Sequence, residues 1–185
     1  VSTSVILIRG INVGGKNPVA MSGLREVLSD LGCREPETLL ASGNALVDDA
    51  PSDLAAVLEA ELPQRFRLHD EQVRVLVLPS GELRSVIDER PRGFGDQPDT
   101  YHSDAIFLID IPVDEAMAVF EPREGVDQVW PGHGVIYSQR LSAQRTKSRL
   151  NKIIGTEPYK SMTIRSWATT LKLGARVALR EAASA

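Results

Sequence analysis

An internal disulfide is closed to this chain, because Cys33 is the single cysteine among its 185 residues. Cys33 also has no histidine or acidic neighbour at ligand spacing, and it follows a helix-ending Gly32, so it reads as a packing residue. The three histidines, His69, His102 and His133, fall in a turn, a linker and a hairpin without metal spacing, and each reads as a loop residue. Aromatic residues make up 5% of the chain, and no strand carries the aromatic ribonucleoprotein string, so base-stacking recognition of RNA has little to work with. No apolar run approaches the roughly 20 residues that span a bilayer. Val1 to Ile8 is too short for a secretory signal, and a cytoplasmic location is expected. The chain lacks a G-x-S-x-G elbow, so Ser42 shows no sign of activation. Tyr101-His102-Ser103-Asp104 holds the residue types of a nucleophilic site, but in immediate succession, where side chains diverge; it reads as coincidence.

What the chain does have is an uneven charge. Residues 1–137 hold 11 Lys and Arg against 23 Asp and Glu, while residues 138–185 hold 10 against 2. The overall net charge is only −4. A basic last third can mark an anion-binding face, or it can dock on acidic surface of the same chain or of another subunit. Lys172, Arg176 and Arg180 stand four apart on one helical face, and Arg145, Arg149 and Lys152 form a similar stripe. Like charges at that spacing repel by a few tenths of a kcal/mol per pair, so either solvent screens them or an anion uses them.

Hydrophobic periodicity divides the chain into two halves. Ser4 to Arg9 is a continuous apolar run and reads as a buried strand. Met21, Leu24, Val27, Leu28 and Leu31 recur at helical spacing and stop at Gly32, a natural left-handed cap. Short apolar runs around Ser42-Gly43-Asn44 predict a hairpin. A second helix follows Pro51, with Leu54, Val57, Leu58 and Leu62 as its buried stripe, and Val73 to Leu78 reads as a strand. The order β-α-β-β-α-β is the split, ferredoxin-like pattern.

A helix over about 80–89 and a Pro- and Gly-rich linker over 91–103 follow. Ala105 to Ile109 then begins a second set: a strand, a helix from Pro112 to Phe120, a hairpin around Pro131-Gly132-His133-Gly134, and a helix from Ser142 through Ile154. A last helix is expected over about 165–182. The expected architecture is α+β, two tandem ferredoxin-like plaits with antiparallel sheets plus a C-terminal helix. Its expected division is a first domain at 1–80, a helix and linker at 81–103, and a second domain at 104–185.

Arg9 to Asn17, R-G-I-N-V-G-G-K-N, is the segment whose composition asks for a ligand. It leaves a strand, places three glycines and a lysine in one loop, and leads towards a helix. It nearly spells the phosphate-binding G-x-x-x-x-G-K-[ST], with Gly10, Gly15 and Lys16 in place. Asn17 stands where the metal-binding hydroxyl belongs, and Pro18 biases Asn17 away from helical angles, so no helix starts at the lysine. Ile106 to Asp110 mimics the partner strand that ends in a metal-binding aspartate, but such strands are common in α/β chains. A nucleotide hydrolase is therefore disfavoured. Shaping a long strand-to-helix connection is an equally good account of the glycines.

The same string, with Met21, Leu24, the Ser42-Gly43-Asn44 turn and the distal T-I-R-S-W-A-T-T-L-K-L, resembles the DUF1697 family, bacterial proteins of unassigned function. The resemblance implies two ferredoxin-like plaits and implies no activity. The family's T-x-R-N-W-N-T falls on Thr163 to Thr169, where Ser166 and Ala168 replace both asparagines while Arg165, Trp167 and Thr169 remain.

These observations lead to one expectation and two alternatives. The expectation is a protein that binds a small anionic or phosphate-bearing ligand through amides of Gly10, Gly14 and Gly15, polar contacts from Asn12, Asn17, Ser42 and Asn44, and the charge of Lys16. Arg165, Trp167 and Lys172 are candidate contributors from the second half. The alternatives are a nucleic-acid binder using the basic third and a subunit-assembly module, with homo-oligomerisation open. The sequence names no cofactor, no metal site and no reaction, and whether the protein is an enzyme stays open.

Overall fold

The computed structural model describes residues 2–69 and 73–184. The chain forms two compact units, Val1–Arg84 with Leu173–Ala185, and Ser85–Lys172.

The first unit begins with β1 (Thr3–Arg9), α1 (Met21–Asp30), β2 (Arg34–Leu39), β3 (Asn44–Asp48), α2 (Leu54–Phe66) and β4 (Arg74–Pro79). The strands form one antiparallel sheet in the order β2-β3-β1-β4. The uninterrupted apolar run of β1 is explained by its place inside that sheet, with Val5, Ile6 and Leu7 fully buried. Ile6 and Ile8 join Ala45, Val47 and Val75 in a core closed by Leu24, Val27 and Leu28 of α1 and Leu54, Leu58 and Leu62 of α2. Full burial of each such Leu or Ile contributes about 1.5–3 kcal/mol. Helix α1 ends as its sequence predicts: Gly32 is left-handed (φ +85°), and the N–H of Cys33 returns to the carbonyl of Leu28 at 3.0 Å. Cys33 is buried in the same core, which pushes its thiol pKa up.

Helix α3 (Ser80–Asp88) follows β4 directly. The second unit then holds β5 (Tyr101–Leu108), α4 (Val113–Met117), β6 (Asp127–Pro131), β7 (Val135–Leu141) and β8 (Met162–Ser166), followed by α5 (Trp167–Ser184). Its sheet is again antiparallel, in the order β6-β7-β5-β8. The two sheets thus share one strand order, as the repeated element order suggests.

Four sequence expectations change here. The helix expected over 142–154 is a pair of 3₁₀ turns, Ser142–Lys147 and Leu150–Ile153, because Gln144 and Ser148 leave helical angles. Leu150 and Ile153, three apart, still bury together, as the three-residue period of a 3₁₀ turn allows. The helix expected from 165 starts at Trp167, and Met162–Ser166 is a strand paired along β5. Five residues carry too weak a period to reveal a strand whose pairing partner lies some 60 positions earlier in the chain. The linker expected over 91–103 contributes Tyr101–Ser103 to β5, and its Phe94 is fully buried. Phe94 meets Trp130, Tyr137 and Trp167 edge-to-face at centroid distances of 6.0, 5.2 and 5.0 Å. Finally, the turns of α5 from Leu173 onward belong with the first unit, where Arg176 and Arg180 pair with β2 and β3.

Candidate functional site

The loop after β1 is a miniature hairpin. Val13 and Lys16 form an antiparallel bridge, with the N–H of Lys16 donating to the carbonyl of Val13 at 2.9 Å. Gly14 (φ +57°) and Gly15 (φ +74°) occupy the two turn positions, where a type I′ turn requires left-handed residues. One step further out, the N–H of Asn12 reaches the carbonyl of Asn17 at 2.9 Å, and both asparagines are left-handed at φ +53° and +49°.

Both asparagine side chains hold the base of this hairpin. Asn12 Nδ2 donates to the carbonyls of Val19 (2.9 Å) and Ala41 (2.8 Å), and its Oδ1 accepts the N–H of Val19 at 2.8 Å. Buried Asn17 donates to the carbonyl of Gly10 at 2.9 Å and accepts the N–H of His69 at 3.0 Å. The amide of Asn17 therefore faces the His69 peptide as a strand neighbour would. Five backbone groups are paired in this way.

The Ser42-Gly43-Asn44 turn adjoins the loop through the bond from Asn12 to Ala41. Asn44 is fully buried and donates to the carbonyl of Leu39 (3.1 Å) and to Ser42 Oγ (2.9 Å). Gly43 (φ +77°) is required by a close approach, since a β-carbon there would lie 2.8 Å from the carbonyl oxygen of Ile8. The two signature strings of the first unit are thus one hydrogen-bonded assembly.

The tip of the hairpin is open. Lys16 is exposed and has no acidic partner among the described residues, and nothing lies within 4 Å of a β-carbon built on Gly14 or Gly15. The arrangement differs from a nucleotide cradle in two ways. The lysine amide is turned into the hairpin, and α1 begins only at Met21.

The candidates of the second half occupy the other unit. Arg165 is buried on β8 and donates to Thr163 Oγ1 (3.0 Å) and to the carbonyl of Ile164 (2.8 Å). Burial lowers its pKa to about 10. Trp167 is a member of the Phe94 aromatic cluster, and Lys172 is exposed. Each unit therefore holds its own subset of the candidates.

The basic stripe of α5 is largely engaged within the first unit. Arg176 Nε meets Glu37 at 2.5 Å, and Arg180 Nε meets Asp48 at 3.0 Å, while Arg180 Nη2 donates to the backbone carbonyl of Glu35. This matches a basic surface docked on acidic surface of the same chain.

His102, expected in the linker, stands with Asp104 on a strand, where the two side chains converge instead of diverging. Both residues lie on β5, where positions two apart share a face, and His102 Nε2 lies 3.1 Å from Asp104 Oδ1. Burial raises the Asp104 pKa, opposed by the charges of His102 and Arg140. The register places Arg140 opposite His102 and Ser138 opposite Asp104. The alternation H-x-D in a strand was the signal that could have found this group.

Among the described residues no group of three or more His, Cys, Asp or Glu is placed to hold a metal ion, and no helix is long and apolar enough to cross a membrane.

The chain is thus an α+β protein with two four-stranded antiparallel sheets and a hairpin-shaped glycine loop in the first unit. It belongs to the family described as "Protein of unknown function (DUF1697)", whose model matches residues 1–137. Among solved structures it is similar to "conserved bacterial protein SP0830 from Streptococcus pneumoniae", with 26% identity and a TM-score of 0.76 over 94% of this chain and 97% of that one. No functionally curated protein matches.

Proposed function

We propose that this protein is a cytoplasmic binder of a small anionic or phosphate-bearing molecule, seated at the tip of the loop that follows β1. The observation that carries the reading is Lys16. It is an exposed cation without an acidic partner among the described residues, beside two glycines that leave the backbone open to close approach, on a hairpin fixed at its base by Asn12 and Asn17. A loop already held in one shape loses little conformational freedom on binding, so even a weak charge contact is retained as affinity. The asparagine amides are occupied by backbone groups, so the contacts narrow to Lys16 and the peptide groups of Gly14 and Gly15. We further read both units as ferredoxin-like plaits. The shared strand order supports this, with 3₁₀ turns standing where the second helix of the second plait would be.

Calorimetric titration of the parent and of Lys16→Ala with inorganic phosphate, pyrophosphate and ATP tests the proposal. Binding to the parent that weakens about tenfold or more in the variant supports it. Equal binding by both, or none by the parent, removes the loop as the site. The nucleic-acid alternative is weakened by the ion pairs of Arg176 and Arg180, which leave less of that stripe for phosphates.

A further inference from the structure

A cavity of about 260 Å³ lies over one face of the second sheet, independent of the glycine loop. Its floor is built from alternate residues of three strands: His102, Asp104 and Ile106 on β5, Ser138 and Arg140 on β7, and Ile164 on β8. The 3₁₀ segment that replaces the expected helix supplies the wall through Leu150 and Ile153. One end is polar and the other apolar.

The polar end contains an unmet demand. The Nε of Arg140 is buried and has no hydrogen-bond acceptor among the described residues. An unpaired guanidinium N–H away from water is costly, because the group has given up hydration without a replacement. On the neighbouring strand Asp127, the register partner of Arg140, directs Oδ2 to the N–H groups of Arg123 and Arg149 at 3.0 and 2.8 Å, so that oxygen is already engaged. Its Oδ1 is likewise unpaired. His102 and Asp104 are bonded to each other, and Arg140 is the one Arg or Lys side chain among the residues that line the cavity. The apolar end is unusually exposed. Ile154 and Ile164, which line the cavity, are 59% and 38% accessible, two of the six large hydrophobic side chains left exposed among the described residues.

We propose that this cavity binds a small amphipathic carboxylate, its head group on the Arg140 guanidinium and its hydrocarbon body against the isoleucine wall. A guanidinium presents a planar donor fork that a carboxylate matches with two parallel hydrogen bonds, and an alcohol or an ammonium cannot. The volume admits a short aliphatic or single-ring acid.

The test is calorimetry and chemical-shift mapping on the whole protein with butanoate, hexanoate and benzoate, with 1-hexanol and hexylammonium as head-group controls. The variants are Arg140→Gln, Arg140→Lys and Ile164→Trp, each checked for its fold by circular dichroism. At least one acid is expected to bind the parent below about 10 mM, at least about tenfold more weakly to Arg140→Gln, and not at all to Ile164→Trp, whose indole fills the cavity. Arg140→Lys should fall between parent and glutamine, since it keeps the charge without the fork. Lys16→Ala should bind the acids as the parent does, which separates this site from the loop. No acid binding up to about 10 mM, equal binding by Arg140→Gln, or binding of hexanol or hexylammonium as tight as that of the acids overturns the proposal.

Discussion

Arg180 and Asp48, 132 positions apart, form a 3.0 Å ion pair in which the two side chains are 9% and 5% exposed. It ties the last helix of the chain to β3, and it explains why a basic tail follows an acidic body. Removing one partner of a buried pair leaves the other charge without compensation, so Arg180→Ala should cost about 3–5 kcal/mol. Replacing both, as Asp48→Leu with Arg180→Met, should recover much of that loss. Urea unfolding of the single and double variants measures the difference, and a double variant no more stable than the singles would contradict it.

The same carboxylate sets an acid limit. Burial pushes the Asp48 pKa up, but hydrogen bonds from Arg180 and Thr3 and the charges of Arg180 and Arg34 outweigh that effect and hold it below the ordinary value. A group depressed in the folded state stabilises fully above its unfolded pKa of about 3.9, and that stability is lost as pH falls through the folded value. Unfolding midpoints of the parent and Asp48→Asn should therefore converge as pH falls below about 4 and be furthest apart near neutrality. A constant gap across that range would show that the charge is not the source.

Asn12 combines three side-chain hydrogen bonds with a left-handed backbone. Asn12→Ala should lose about 2–4 kcal/mol, from unpaired backbone groups and from the left-handed penalty of a β-carbon. Asn12→Gly removes the same bonds but tolerates the conformation, so it should be the more stable of the two by about 1 kcal/mol. Thermal melts of the pair apportion the two effects.

Gly95 faces Trp167 so closely that a β-carbon would lie 2.4 Å from the indole Cδ1, and its φ is +76°. Gly95→Ala is expected to destabilise by about 2–4 kcal/mol through overpacking and backbone strain together. Tryptophan emission should shift as Trp167 leaves its cluster. An unchanged melt and spectrum would mean that the aromatic cluster is more yielding than its packing indicates.

Tyr137 donates its hydroxyl to the carbonyl of Val86 at 2.7 Å, and burial, aided by the charge of Glu89, raises its pKa to about 12. An acid raised on folding ionises first in the unfolded chain, so its contribution falls as pH rises from about 10 to about 12. The tyrosinate absorbance lost in Tyr137→Phe should correspond to a titration near about pH 12, and the variant should be about 1–2 kcal/mol less stable at neutral pH. A difference titration centred near about pH 10 would rule out the buried bond.

Much of the first unit is legible in its sequence, since its signals are local. The apolar run of β1, the spacing of Leu24, Val27 and Leu28, and the glycine stop at Gly32 each determine an element within one or two turns of chain. Gly14 and Gly15, legible only as glycines of a long connection, prove to be the left-handed positions of a tight turn. What neighbours in sequence could not decide is everything settled by residues far apart. β8 exists because Met162–Ser166 pairs with β5, and Asp104 feels the charge of Arg140 from the neighbouring strand. Asn12 and Asn17 become anchors because Ala41 and His69 lie beside them, and the basic stripe of α5 becomes an internal tie because Glu37 and Asp48 face it. Local propensity is a property of a few adjacent residues, whereas a hydrogen bond or an ion pair needs a partner whose position only the folded chain supplies.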